Sequence, residues 1–152
     1  MNYYQETAEG YTELHREEQL EKLHIIRENI SLPGKMLDIG CGPLWSAEFF
    51  DDVVGIDPAF EGKDIIRASA EKLPFPDKTF DTILCVTAIH HFKLDAAILE
   101  MKRVAKKNAQ LVITVLKKSP KFNNIVKILN VEFVLEKKVD QQQDEVYFLR
   151  SK

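Results

Sequence analysis

The 152-residue sequence predicts an α/β fold: an open, mostly parallel sheet of seven strands, helices on both faces, and an antiparallel hairpin at the C-terminal end. Three observations predict it. Short β-rich apolar runs, of the kind buried on both faces in parallel sheets, recur at 52–57 (DVVGID), 82–86 (TILCV) and 110–115 (QLVITV). Segments of helical periodicity or longer loops separate most of them. The last two runs, 131–139 and 145–149, are joined by the polar link 140–144, as in a hairpin.

Taken in order, Leu20, Leu23, Ile26 and Ile30 recur at spacings of three and four, which predicts an amphipathic helix from about Tyr11 to Ile30. Ser31-Leu32-Pro33-Gly34 ends it. A short apolar strand, 35–39, enters the glycine turn Gly40-Cys41-Gly42-Pro43, and 45–50 follows as a brief helix. The run 52–57 is the second strand and the weaker 65–69 the third. Only Pro58 to Asp64 lie between them, too few residues for a helical crossover, so the helix between these strands is expected to be missing. The fourth strand is 82–86. Helical spacing over 94–104 leads into the fifth strand at 110–115, and a helix over 122–129 precedes the hairpin.

Composition sets the outer bounds. At 45% hydrophobic and 30% charged, the chain suits one globular domain that buries roughly two-thirds of its unfolded surface. No apolar run approaches the ~20 residues needed to cross a bilayer, and the N-terminus has no signal-peptide pattern, so a cytoplasmic protein without membrane contact is expected. Cys41 and Cys85 lie in no Cys-x-x-Cys pair and match no closed zinc pattern, so reduced thiols and no metal are expected. Residues 1–100 carry 9 Lys/Arg against 19 Asp/Glu and residues 101–152 carry 12 against 5; a basic C-terminal third suits either a solvated face or an anionic partner.

The chemistry concentrates at Asp38-Ile39-Gly40-Cys41-Gly42, where a first strand turns into a helix. Bare glycines let a ligand approach the backbone, and helix amides would face it. Asp57, fifteen residues after Gly42, ends the second strand where a carboxylate can accept both hydroxyl hydrogens of an adenosine ribose. A dinucleotide fingerprint would need glycine three residues past Gly42, where Trp45 stands, so a nicotinamide cofactor is disfavoured.

Four blocks in order, 37–43 (LDIGCGP), 53–57 (VVGID), 70–81 (AEKLPFPDKTFD) and 88–92 (AIHHF), make the sequence resemble the class I S-adenosylmethionine-dependent methyltransferases, especially the small ubiquinone-biosynthesis and tRNA wobble-uridine types. The resemblance implies a Rossmann-like sheet within a single domain, 1–152, with 1–34 as a helical lid segment and 35–152 as the seven-stranded core. It implies that Gly40, Cys41 and Gly42 meet the methionine end of the cofactor while Asp38 orders its ammonium. Asp57, with Pro58 beside it, would hold the ribose; Ser69, Ala70 and Glu71 would meet adenine, and Val86 and Thr87 would lie beneath the sulfonium. Tyr11, with Tyr3 or Tyr4, resembles an aromatic lid. Departures from the family pattern are Leu44 in place of a third glycine, Lys106-Lys107-Asn108-Ala109 in place of a Pro-Gly-Gly turn, and the missing crossover helix.

A sulfonium methyl is already electrophilic, so alignment of the acceptor is the main requirement. His90 or His91, just past the fourth strand, is a candidate base, with helix-entry packing as the alternative role. The methyl acceptor is expected to be a small molecule, an RNA or a protein. The sheet face left bare by the missing helix is expected to be covered either by the N-terminal helix or by a helper subunit or second copy. The alternative to an enzyme is a catalytically silent module that keeps the fold and scaffolds a partner.

Overall fold

A computed structural model describes residues 3–152, with side chains from Glu13 onward. The N-terminal helix α1 runs Tyr3–Asn29, starting eight residues earlier than the apolar stripe alone indicates. The strands are β1 (Met36–Ile39), β2 (Val53–Asp57), β3 (Ile65–Arg67), β4 (Phe80–Cys85), β5 (Ala105–Leu116), β6 (Val134–Gln141) and β7 (Asp144–Arg150). Helix α2 (Leu94–Val104) precedes β5 and α3 (Phe122–Glu132) follows it. They form one sheet of order β3-β2-β1-β4-β5-β7-β6, parallel except where β7 runs antiparallel to β5 and β6.

The sheet is packed on both faces, as its near-continuous apolar strands require. On one face Leu23 and Ile26 of α1 pack with Phe50 against Met36, Leu84 and Val112. On the other, α2 and α3 bring Ile98, Met101, Ile125 and Leu129 onto Leu37 and Ile83. No helix stands between β2 and β3, as expected from seven intervening residues. The glycine turn covers β2 there: a Cβ at Gly55 would lie 2.4 Å from Cys41 Sγ and 2.7 Å from Leu44 Cδ1. The exposed large apolar side chains of this end are Phe60 and Ile66.

Further boundaries differ from the sequence expectation. The segment 45–50 is one turn of 3₁₀ helix, Trp45–Glu48, closed by the Phe49 amide on the Ser46 carbonyl. Helix α3 continues through Val131 instead of yielding a strand there, because Ile125, Leu129 and Phe133 form a buried stripe at spacings of four. The hairpin link shrinks to two residues, with Gln142 at φ 49° taking the left-handed conformation usually supplied by glycine. Loop 68–79 is irregular but pinned: Arg103 of α2 donates to the Leu73 carbonyl (3.0 Å) and the Phe75 carbonyl (2.7 Å), and Glu100 accepts the Leu73 amide (2.8 Å). That anchoring fixes where Ser69, Ala70 and Glu71 stand beside the ends of β2 and β3.

Candidate functional site

The carboxyl ends of β1 and β4 form the crevice, where a parallel open sheet ordinarily binds ligands. All four residues of β1 are buried, so Asp38 enters the interior because its strand does. Gly40 (φ 73°), Gly42 (φ 54°) and Leu44 (φ 66°) are all left-handed. Leu44, where the family pattern has a third glycine, therefore keeps the glycine conformation. A side chain there costs roughly 1–2 kcal/mol, offset by burying the leucine on Gly55. A Cβ at Gly40 would meet Ala88 at 2.6 Å, whereas one at Gly42 would meet nothing within 4 Å. Gly42 thus faces open space.

The turn's own amides point inward. Those of Gly40 (2.8 Å) and Cys41 (3.0 Å) donate to the Ile56 carbonyl, and that of Gly42 donates to Asp57 Oδ2 at 2.9 Å. The expected row of helix amides facing a ligand is replaced by carboxylates. Asp57 also accepts the Ala59 amide on Oδ1 at 2.8 Å, which fixes the plane of its carboxylate at the mouth.

Behind Gly42 is a cavity of about 80 Å³ lined in part by His15, Gln19, Asp38, Trp45, Ser46 and Thr87. Burial pushes the Asp38 carboxyl up to about 7; the Ser46 hydroxyl, donating to Oδ2 at 2.6 Å, pulls it down, and the Asp57 charge pushes it up further. Among the described residues no ion pair engages Asp38. The cavity therefore presents a buried acid whose negative form would be stabilised by an incoming cation. Cys41 and Cys85 are buried thiols, pushed up by desolvation and then by Asp38, and so stay protonated.

At the end of β4, Thr87 adopts φ 55°, uncommon for a β-branched residue and frequent at functional sites. Its amide donates to Thr114 Oγ1 (2.7 Å), and its hydroxyl donates to Asp144 Oδ2 (3.1 Å) while accepting from Lys22 Nζ (2.7 Å). Lys22 and Asp144 form an ion pair of 2.9 Å with side chains 7% and 0% exposed. His90 and His91 close a short 3₁₀ turn, Ile89–His91, with ring centroids 4.0 Å apart. Desolvation, then the His91 charge, lowers the His90 imidazole, with smaller opposing effects from Asp144 on one side and from Lys121 and Lys22 on the other.

Six of the residues singled out in the sequence, Asp38, Gly40, Cys41, Gly42, Val86 and Thr87, line this one cavity. Asp57 is one hydrogen bond from it. Pro58 and Ser69 are exposed, Ala70 is buried and Glu71 accepts the Lys93 amide, all outside the cavity wall. The side chains of Tyr3, Tyr4 and Tyr11 lie outside the described residues. Sequence reasoning missed Ser46, Gln19, Lys22, Thr114 and Asp144. A legible signal existed for two of them: Gln19 and Lys22 are polar residues set into the apolar stripe of α1, and both are buried.

Comparison with known proteins agrees with this geometry. A family model described as "Methyltransferase domain" matches residues 37–113, just over half of the chain. An uncharacterized protein of Methanocaldococcus jannaschii is 31% identical over 125 residues, covering 74% of this chain and 50% of its own. The uncharacterized methyltransferase YcgJ of Bacillus subtilis is 31% identical over 99 residues, covering 52% and 39%. The chain spans half or less of the length of these curated relatives. Among solved structures, the Burkholderia thailandensis 1,6-didemethyltoxoflavin-N1-methyltransferase, solved with 1,6-didemethyltoxoflavin and S-adenosylhomocysteine bound, superposes with a TM-score of 0.76 at 13% identity, over 97% of this chain and 83% of that one. With the strand order, the glycine turn and the two carboxylates in place, the match over residues 37–113 makes the chain a member of the methyltransferase-domain family.

Proposed function

We propose that this chain binds S-adenosylmethionine in the β1–β4 crevice and transfers its methyl group to an acceptor. The observation that carries the reading is Asp38, a buried carboxylate without an ion-pair partner among the described residues, set beside a left-handed glycine that faces open space. A cationic amino acid fits that chemistry. Asp38 would hold the ammonium, Gly40, Cys41 and Gly42 would border the methionyl chain, and the fixed Asp57 carboxylate would accept the ribose hydroxyls. Pro58 and the 69–71 segment would flank the base, with Tyr11 as a lid. The 80 Å³ cavity is smaller than the ~300 Å³ of a small-ligand site, so the nucleoside would extend along the open side past Gly42.

The cofactor, when bound, supplies an electrophilic methyl group, which leaves alignment of the acceptor, worth ~7–11 kcal/mol, to the protein. Val86 and Thr87 border that point. His90, neutral at pH 7 by virtue of its lowered imidazole, would take a proton from the acceptor, with the His91 ring tilted at 43° beside it. Titration calorimetry with S-adenosylmethionine and S-adenosylhomocysteine tests the reading; no heat of binding at millimolar ligand removes it. Asp57→Ala is expected to weaken binding tenfold or more, about 1.4 kcal/mol, and unchanged affinity would show that the ribose is held elsewhere.

A silent scaffolding module is favoured by one feature, the turn amides already engaged within the protein. Radiolabelled methyl transfer into a cell extract separates the two, since only the enzyme labels it.

A further inference from the structure

At φ 55°, Thr87 occupies a conformation that glycine takes freely and a β-branched side chain takes only under strain. Such a residue persists where its surroundings over-determine it. Here three elements besides β4 do so. The Thr114 hydroxyl of β5 accepts the Thr87 amide at 2.7 Å, Lys22 of α1 donates to the Thr87 hydroxyl at 2.7 Å, and Asp144 of β7 accepts from that hydroxyl at 3.1 Å. Glycine would remove the strain and, with it, the hydroxyl that Lys22 and Asp144 both engage.

Stability alone does not account for the ion pair of Lys22 with Asp144. Its side chains are 7% and 0% exposed, and Asp144 Oδ1 has no hydrogen-bond partner among the described residues. Well-packed apolar residues in place of a buried pair are often as stable or more so, and an unsatisfied carboxylate oxygen adds a further cost. Leu23 and Ile26 already pack α1 onto the sheet. The two charges do what apolar side chains cannot: they grip one hydroxyl from both sides, Lys22 as donor and Asp144 as acceptor. The gripped residue lines the crevice, whereas Lys22 and Asp144 do not.

We propose that the buried Lys22–Asp144 pair is a positioning device for methyl transfer, holding Thr87 in its left-handed conformation and so fixing the crevice wall where the methyl group and its acceptor would meet. What is positioned rests on the methyl-transfer reading above; the grip on Thr87 does not. Lys22 and Asp144 act through Thr87 and touch no reactant. Alignment of an acceptor is sensitive to displacements of about 1 Å. A wall released at Thr87 therefore slows transfer, while Asp38 and Asp57, held by Ser46 and by the Gly42 and Ala59 amides, keep their places.

The test replaces the pair by apolar side chains, Lys22→Met together with Asp144→Leu. Urea unfolding is expected to show a midpoint no lower than that of the unaltered chain, while the backbone ¹³C shifts of Thr87 leave their left-handed values. Radiolabelled methyl transfer into a cell extract at saturating S-adenosylmethionine is expected to fall about tenfold or more, with S-adenosylhomocysteine affinity held within about threefold. Unmoved Thr87 shifts, a smaller loss of label, or an equal loss of nucleoside affinity overturns the proposal. Should the double variant fail to fold, Lys22→Met alone, in which Asp144 can neutralise itself by taking a proton, is read for the same quantities. Lys22→Met and Asp144→Asn, taken singly, separate the grip from a charge effect on His90, whose imidazole feels His91, Asp144, Lys121 and Lys22. Either change breaks the grip, so both are expected to lose rate at every pH. Opposite displacements of the pH profile, upward for Lys22→Met and downward for Asp144→Asn, with the maximal rate kept, overturn it. An unaltered chain that neither binds the nucleoside nor labels the extract loses the methyl-transfer reading, and the Thr87 shifts still decide the grip.

Discussion

Asp38 shows how position on a strand sets the chemistry of a single group. A four-residue strand buried throughout its length carries the carboxyl inward, where desolvation outweighs the hydrogen bond from Ser46. Between its ordinary value of 3.8 and about 7, the unfolded chain has released this proton while the folded chain retains it. Stability attributable to Asp38 therefore falls as pH rises through that window and is level above it. Asp38→Asn is expected to flatten this slope and to stabilise the ligand-free protein at pH 8 by on the order of 4 kcal/mol, as read by thermal unfolding across pH. A bound cation should reverse the preference. Calorimetry at pH 6 in buffers of different ionisation heat is then expected to register proton release on cofactor binding, and its absence would mean that no cation reaches Asp38.

At the scale of elements, the Cys41–Leu44 turn does the work of an absent helix. It packs on Gly55 of β2 with no room for a methyl group, so Gly55→Ala is expected to lower stability by about 1–3 kcal/mol in urea unfolding and to weaken cofactor binding by displacing the turn. The missing crossover helix was legible because seven residues cannot form one. The conformation of Leu44 was not, since its left-handed backbone depends on a pocket over Gly55 that only the folded sheet creates. Asn108, left-handed at φ 64°, is the easier case, because asparagine is among the non-glycine residues that enter that conformation readily. Strand identity was legible from apolar runs, but their lengths were not: β5 reaches back to Ala105 because tertiary pairing with Phe80 extends it through a polar stretch that propensity alone leaves unassigned. Helix α3 defeated a β-branched reading of Val131 for a similar reason, the buried stripe ending in Phe133 deciding the outcome.

Across the whole molecule, α1 belongs to both the core and the crevice. It supplies one of the two faces of the core while its polar residues line the crevice. Ile26, fully buried against the sheet, is expected on truncation to alanine to cost about 2–5 kcal/mol, measured by denaturant unfolding; a loss under 1 kcal/mol would mean that the helix docks loosely. The turn side of the crevice, proposed above for the cofactor, could be read from the sequence as one place because it is local, built from a turn and the end of the next strand. The Lys22–Thr87–Asp144 corner could not, because its members stand 65 and 57 residues apart and nothing in local spacing brings them together.

The strand order has one more consequence. β7, the seventh of these strands in chain order, is not at the border of the sheet but lies between β5 and β6, bonded to both. During synthesis, a nascent chain that has emerged only as far as α3 exposes the long flank of β5 to any other extended polypeptide, and β6 has nowhere to settle until its successor leaves the ribosome. The sheet is thus completed from the middle, by the seven-residue segment of β7, and that same event brings Asp144 to Lys22 and Thr87.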